Sequence, residues 1–243
     1  LTTAGDIDTS DDNVTFTNAV TLGGNVDVDT DTGAGDILFS STIATAANDL
    51  ALDAGAAGNI TLNNDLTGTG NVTVRDGAVQ DYEALTLNSL NIVDATTSVT
   101  LGGTVTATSS VDVNSGGSIV QGGAIASATT VNYDASTTIA INANITNSGT
   151  VNIDSTGVTT VAAAGDINAG GDVTFGAAKT GTLTTAGDID TSDDNVTFTN
   201  AVTLSGNVDI DTVGTTLGNI LFSSTIDTAA NSLDLDAGAA GNI

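Results

Sequence analysis

Carboxylates spaced by twos along an extended stretch are the residues in this chain best placed to do chemistry. Asp27, Asp29, Asp31 and Asp36 follow one another closely, with Gly33 among them. Alternate residues of a strand point to one side, and hard cations such as calcium take their ligands from carboxylate oxygens. Measured against a calcium-binding loop of alternating acids, the glycine comes one position late and no distal glutamate follows. A second stretch keeps Asp209 and Asp211 but places Val213 and Asn219 where the other acids would stand. A dedicated site would not be lost between such similar stretches. The run therefore reads as a weak calcium candidate, with diffuse cation binding and no required cofactor.

A second set of acids and amides closes a series of short apolar segments, such as Val26 to Asp29, Leu50 to Asp53 and Val131 to Asp134. Its members are Asp29, Asp53, Asp94, Asn114, Asp134, Asp154, Asp211 and Asp236. Each side chain could accept a hydrogen bond from a nearby backbone N–H and hold a corner. Alternatively, the set could form a ladder of carboxylates bridged by calcium. The corner role is favoured, because a turn accounts for the placement without any ion. Asp11-Asp12 and Asp193-Asp194 could serve as paired carboxylates for glycoside hydrolysis. However, the chain has no His, and Arg75 and Lys179 are its only basic side chains. General acid–base catalysis has almost nothing to work with, so the expectation is that the protein is not an enzyme.

Composition narrows the partners. Lys and Arg number 2 against 29 Asp and Glu, a formal charge of −27. Such a surface repels phosphates and anionic headgroups, which argues against nucleic acid and against direct membrane insertion. Cys is absent, so disulfides and thiolate metal sites are excluded. Apolar residues make up 40% of the chain, enough to build a core.

The elements that must position these acids follow from periodicity. Val14, Phe16, Val20 and Leu22, then Ile37, Phe39 and Ile43, place apolar residues at alternate positions, the mark of strands with one buried face. A long segment of this type alternates with the shorter acid-terminated type, and Gly-Asn pairs such as Gly58-Asn59 and Gly70-Asn71 mark corners that tolerate positive φ. Equivalent segments recur in the same order and polarity. The fold expected is all-β: a parallel β-helix, or β-solenoid, of about ten coils of roughly 20–25 residues. Phe16 should stack near Phe39, and Phe175, Phe198 and Phe222 should form a similar core column. The section from Gln80 to Thr97 is the least regular and is expected to form a distorted coil, the one place where a binding patch could break the pattern.

A longer period overlies the coils. Residues 1–22 return letter for letter at residues 183–204, and ILFSSTI at 37–43 recurs at 220–226. Residues 1–182 read as one complete long repeat of a continuous solenoid and residues 183–243 as the start of the next, without separate globular domains.

The phrases AAGNITLNNDLTGTGNVTV (residues 56–74) and AAGDINAGGDVTF (residues 163–175) resemble the repeat regions of giant bacterial secreted exoproteins. These are the filamentous-haemagglutinin-like and related β-strand-repeat adhesins. The resemblance implies a right-handed parallel β-helix, export to the surface of a Gram-negative bacterium, and a place in a rod, stalk or filament serving adhesion or biofilm architecture. Self-association end to end or laterally into fibres would follow. The alternatives are a glycan- or calcium-binding adhesin module that contacts host or cell surfaces, and, least favoured, a carbohydrate-active β-helix enzyme.

Overall fold

The structure is a computed structural model that describes residues 1–214 and 217–243. Its regular elements are all short β-strands, each paired in parallel with its neighbours, and no helix occurs among the described residues. The protein is a β-solenoid whose coils each contribute one strand to each of three parallel sheets, labelled below unit by unit. It divides into two compact units, Leu1–Gly123 and Ala124–Ile243.

In the first unit the chain visits three sheets in turn. Sheet I contains Thr2–Thr3, Val20–Leu22, Ile43–Ala46, Leu66–Gly68, Leu85–Leu87 and Val105–Ala107. Sheet II contains Ile7–Asp8, Val26–Asp29, Leu50–Asp53, Val72–Asp76, Leu90–Ile92 and Ser110–Ser115. Sheet III contains Val14–Phe16, Ile37–Phe39, Ile60–Leu62, Val79–Tyr82, Ser98–Leu101 and Ser118–Gln121. In the second unit the corresponding cycle builds sheets IV, V and VI. Sheet IV runs from Ile125–Ser127 to Val208–Asp211 and Leu233–Asp236. Sheet V includes Thr130–Ala135, Thr150–Ser155, Val173–Phe175, Val196–Phe198 and Ile220–Phe222, and sheet VI ends on Val202–Leu204 and Ile226–Asp227.

Each coil thus has three strands where the periodicity suggests two. The long segment from Val14 to Leu22 is really two strands, Val14–Phe16 and Val20–Leu22, separated by the exposed residues Thr17, Asn18 and Ala19. Phe16 and Val20 lie four positions apart, which preserves the apparent alternation while the chain turns a corner. Coil length varies: Val14 pairs with Ile37, whereas Val99 pairs with Ile119. The corners absorb the difference.

Packing follows from the strand pattern. Most three-residue strands read buried, outward, buried, as in Val14–Phe16 and Val20–Leu22. Val28, Ile37, Leu50 and Leu52 are wholly buried, and Val14, Phe16, Val26 and Phe39 join them inside. No coil could bury these residues alone, so the core exists only as a stack.

The section from Gln80 to Thr97 does not form the distorted coil expected of it. Val79–Tyr82, Leu85–Leu87 and Leu90–Ile92 each pair on both sides in unbroken register. Gln80 occupies the core position of Ile60 and Val99. Its amide donates to the carbonyls of Asp94 (2.8 Å) and Gly77 (3.4 Å), and its Oε1 accepts the Tyr82 hydroxyl at 2.9 Å. A buried polar side chain with its partners supplied inside the coil does not interrupt the solenoid. Burial also pushes the Tyr82 hydroxyl pKa well up, with Asp81 adding to the effect.

Candidate functional site

The densest polar constellation lies on the outer face of sheet II. Outward positions alternate along each strand there, so Asp27 and Asp29 lie beside Ala51 and Asp53. On the next strand Thr73 faces Ala51, but the register shifts between Val74 and Asp76. Arg75 is the extra residue of this bulge, and bulges commonly re-aim a side chain. Its guanidinium reaches back across two strands. Nε donates to Asp53 Oδ2 at 3.0 Å, Nη1 and Nη2 donate to the two oxygens of Asp27 at 2.8 Å each, and Nη2 also reaches Asp29 Oδ2 at 3.2 Å. Ala51, which is small, leaves the path to Asp27 open. The Asp27 hydrogen bonds are the largest cause holding Arg75 even more firmly protonated than usual. Partial burial opposes them, and Asp53 adds to them.

This geometry disperses the four calcium candidates. Asp27 and Asp29 are engaged by Arg75. Asp31 sits in the left-handed region at φ 65° and accepts the Thr32 N–H at 2.8 Å. Asp36 Oδ1 accepts the backbone and side-chain N–H groups of Asn59 at 2.8 and 3.0 Å. Among the described residues, no group of three or more His, Cys, Asp or Glu side chains is arranged to hold a metal ion.

The eight strand-ending acids and amides divide into several roles. Asp29, Asp53, Asp211 and Asp236 each use Oδ1 to accept the N–H two residues on, at Asp31 (2.7 Å), Gly55 (3.1 Å), Val213 (2.6 Å) and Gly238 (2.8 Å). These are Asx turns that hold corners. Asp134 and Asp154 instead face each other across Thr130–Ala135 and Thr150–Ser155. Lys179 pairs with Asp134, and Asp154 accepts the Ala178 N–H at 3.0 Å. Asp94 contributes its backbone carbonyl to Gln80, and Asn114 faces outward from Ser110–Ser115. Asp11 and Asp193 occupy left-handed turns at φ 62° and 72°, while the carbonyls of Asp12 and Asp194 accept the hydroxyls of Thr9 and Thr191 at 2.7 Å.

The longer ladders lie on the other side of the strands, at the residue just before each one. Asn13 Oδ1 accepts the Asp36 N–H at 2.8 Å, Asp36 binds Asn59 as above, and Asn59 Oδ1 accepts the Val79 N–H at 3.2 Å. Asn25 Oδ1 accepts the Asp49 N–H at 2.9 Å, and Asp49 Oδ1 accepts both N–H groups of Asn71 at 2.8 and 3.0 Å. In the second unit Asp172, Asn195, Asn219 and Asn242 form a similar ladder at 2.8–3.1 Å. An ionised carboxylate only accepts, so an Asp rung is capped well by an Asn, which brings a second donor.

The Gly-Asn pairs are the sequence signal for these ladders, although their glycines do not adopt positive φ. A Cβ on Gly70 would collide with the Asn48 carbonyl, and one on Gly58 with the carbonyls of Ala54 and Gly35. Close approach between coils, rather than a left-handed corner, excludes a side chain there.

Inside the coils, Phe16 stacks on Phe39 with centroids 4.4 Å apart and planes at 15°. Phe198 lies between Phe175 (5.4 Å, 6°) and Phe222 (4.6 Å, 10°). Phe16, Phe39, Phe175 and Phe198 are buried with their rings packed against one another, while Phe222 is half-buried. Compared with protein-family models, with curated proteins and with solved structures, the chain matches none.

Proposed function

We propose that this chain is a non-catalytic structural segment of a long repetitive protein at a bacterial cell surface, contributing reach and stiffness to a stalk or filament. One observation carries the reading. The polar side chains bond from coil to coil, and the two basic residues are spent the same way. Arg75 ties together Asp27, Asp29 and Asp53, and Lys179 reaches Asp134. A binding or catalytic centre concentrates groups whose bonding capacity is left for a ligand. Here that capacity goes into joining neighbouring coils. The excess of acids suits a solvated external surface, and the resemblance to exoprotein repeats supports the location.

The test is electron microscopy of native cells and shed material, labelled with an antibody raised against this chain. Label distributed along surface filaments or stalks is the expected result. Label confined to the cell interior, or to compact isolated particles, overturns the proposal. Specific, saturable binding to a glycan array would move the assignment to an adhesin module.

A further inference from the structure

One set of polar side chains takes no part in the bonding between coils. On sheet I the first outward residue of each strand is Thr21, Ala44, Thr67, Thr86 and Thr106 in successive coils, all exposed and in register. The register shift on Leu66–Gly68 falls after Thr67, so the column is unbroken. Among the described residues, none of these threonine hydroxyls has a hydrogen-bond partner. In the second unit Thr159–Val161, Leu183–Thr185 and Val202–Leu204 of sheet VI align Thr160, Thr184 and Thr203 in a shorter column, whose hydroxyls are equally unengaged. Thr203 is the counterpart of Thr21 in the long repeat.

Threonine favours strands, which accounts for the residue type but not for what the columns exclude. Across residues 19–23, 42–46, 65–69, 84–88 and 104–108 the only charged side chain is Asp65. Outward positions of sheet II in the same unit carry Asp27, Asp29, Asp53 and Asp112. Residues 158–162, 182–186 and 201–205, around the shorter column, carry no charge at all. In a chain of formal charge −27, the acids are kept off these faces. A charge orients the water around it radially, which disrupts an extended water lattice. A threonine instead offers one hydroxyl to bond a water and one methyl around which water keeps bonding to itself.

Successive hydroxyls of such a column are set apart by the strand separation, about 4.8 Å. Equivalent oxygens along the basal axes of hexagonal ice repeat within a few tenths of an ångström of that distance. We propose that the threonine column of sheet I is an ice-binding face, and that the column of sheet VI is a shorter second one. Each hydroxyl bonds one water of the lattice, and each methyl lies between bonded waters. The stacked coils fix the spacing before contact, so little ordering entropy is lost on binding. Ala44 is the one position of the longer column without a hydroxyl. The inference goes beyond the structural reading and does not depend on it, because its ligand is ordered water rather than another segment of protein.

The test grows ice slowly from a dilute solution of the whole chain and measures how the protein divides between ice and liquid. Thermal hysteresis and crystal shape are read on single ice crystals in parallel. Enrichment in the ice, faceted crystals and a measurable hysteresis are expected. The double variant Thr86→Tyr, Thr184→Tyr raises a ring from the middle of each column and should abolish all three while circular dichroism stays unchanged. Ala44→Thr completes the longer column and should raise the hysteresis. Asn91→Tyr, at an exposed outward position of sheet II, should leave the activity as it is. Exclusion of the parent protein from ice overturns the proposal, as does full activity in the double variant or an equal loss in Asn91→Tyr. Lower activity in Ala44→Thr also overturns it. So does sedimentation of the protein with crystalline chitin or cellulose without enrichment in ice, because the face would then belong to a polysaccharide.

Discussion

Arg75→Ala tests the idea that coil-to-coil charge pairing organises the acidic face. The arginine holds three carboxylates through four hydrogen bonds at 2.8–3.2 Å. Its side chain is 36% exposed, and those of Asp27, Asp29 and Asp53 are 37%, 39% and 23% exposed, so solvent screens much of the attraction. Two pairs of that exposure contribute about 0.3–0.5 kcal/mol each, and the less exposed Asp53 pair about 1 kcal/mol. Removing the cation also leaves Asp29 and Asp53 as cross-strand neighbours, and two like charges about 5 Å apart cost roughly 0.8 kcal/mol even at the dielectric constant of water. The expected loss is about 2.5 kcal/mol. Because a stack of coils can open locally, the assay is amide hydrogen exchange at Leu50–Asp53 and Val72–Asp76 rather than a single melting point. About 2.5 kcal/mol corresponds to roughly seventyfold faster exchange there. Salt supplies an internal control. Raising sodium chloride should slow exchange in the variant, which suffers repulsion, and speed it in the parent, which depends on attraction. Arg75→Lys should fall between them, because it keeps the charge but loses the fork. An effect below about threefold, or the same salt response in both proteins, would refute the reasoning.

Three further outcomes follow from the packing and the charges. Gly70→Ala should destabilise the first unit by about 1–3 kcal/mol, because the new methyl meets the Asn48 carbonyl on the neighbouring coil; exchange at Leu50–Asp53 measures it, and an unchanged rate would contradict the close approach. Phe39→Ala should cost about 3–5 kcal/mol, since it removes a buried ring stacked on Phe16; a loss under about 1 kcal/mol in denaturant titration would mean the column contributes little. Burial leads the causes that hold Asp76, Asp190, Asp194 and Asp209 above the ordinary carboxylate range. The folded state then binds protons that the unfolded state releases, so the penalty is complete at neutral pH and is relieved as pH falls towards about 4. The melting temperature should therefore rise on mild acidification, and a steady fall over that interval would reverse the sign.

Local patterns in the sequence are read well, and patterns one coil apart are read poorly. Alternation identifies Val14, Phe16, Val26, Val28, Ile37, Phe39, Leu50 and Leu52 as inward-facing, because burial on a strand depends only on parity. The third strand of each coil is hidden because Phe16 and Val20 keep their apparent spacing through a corner. Gln80 disguises a regular coil, since its partners Asp94 and Tyr82 become visible only in three dimensions. The turns at Asp29 and Asp53 are legible because the bond closes two residues away. By contrast, the bond from Asn71 to Asp49 closes on the preceding coil, and Arg75 reaches residues on two earlier ones. Spacing marks Asp27 and Asp29 only as weak cation candidates; the bulge at Arg75, which brings a guanidinium of the same protein to both, is visible only in three dimensions.

The long repeat and the coil obey different arithmetic, which shows where the structural information resides. Residues 1–22 and 183–204 are identical, and each copy makes the same local pairing within its own unit: Val14–Phe16 against Ile37–Phe39, and Val196–Phe198 against Ile220–Phe222. Yet 26 strands, from Thr2–Thr3 to Val173–Phe175, lie in the first repeat, and 26 is not a multiple of three. The repeat therefore does not close on a whole number of three-strand coils, and nothing in its folding requires it to. Each strand needs a neighbour of matching parity one coil away and an Asx or glycine at the corner. Those conditions are all met by the adjacent coil, wherever in the long repeat that coil falls. A substitution should accordingly be felt one coil in either direction and little beyond.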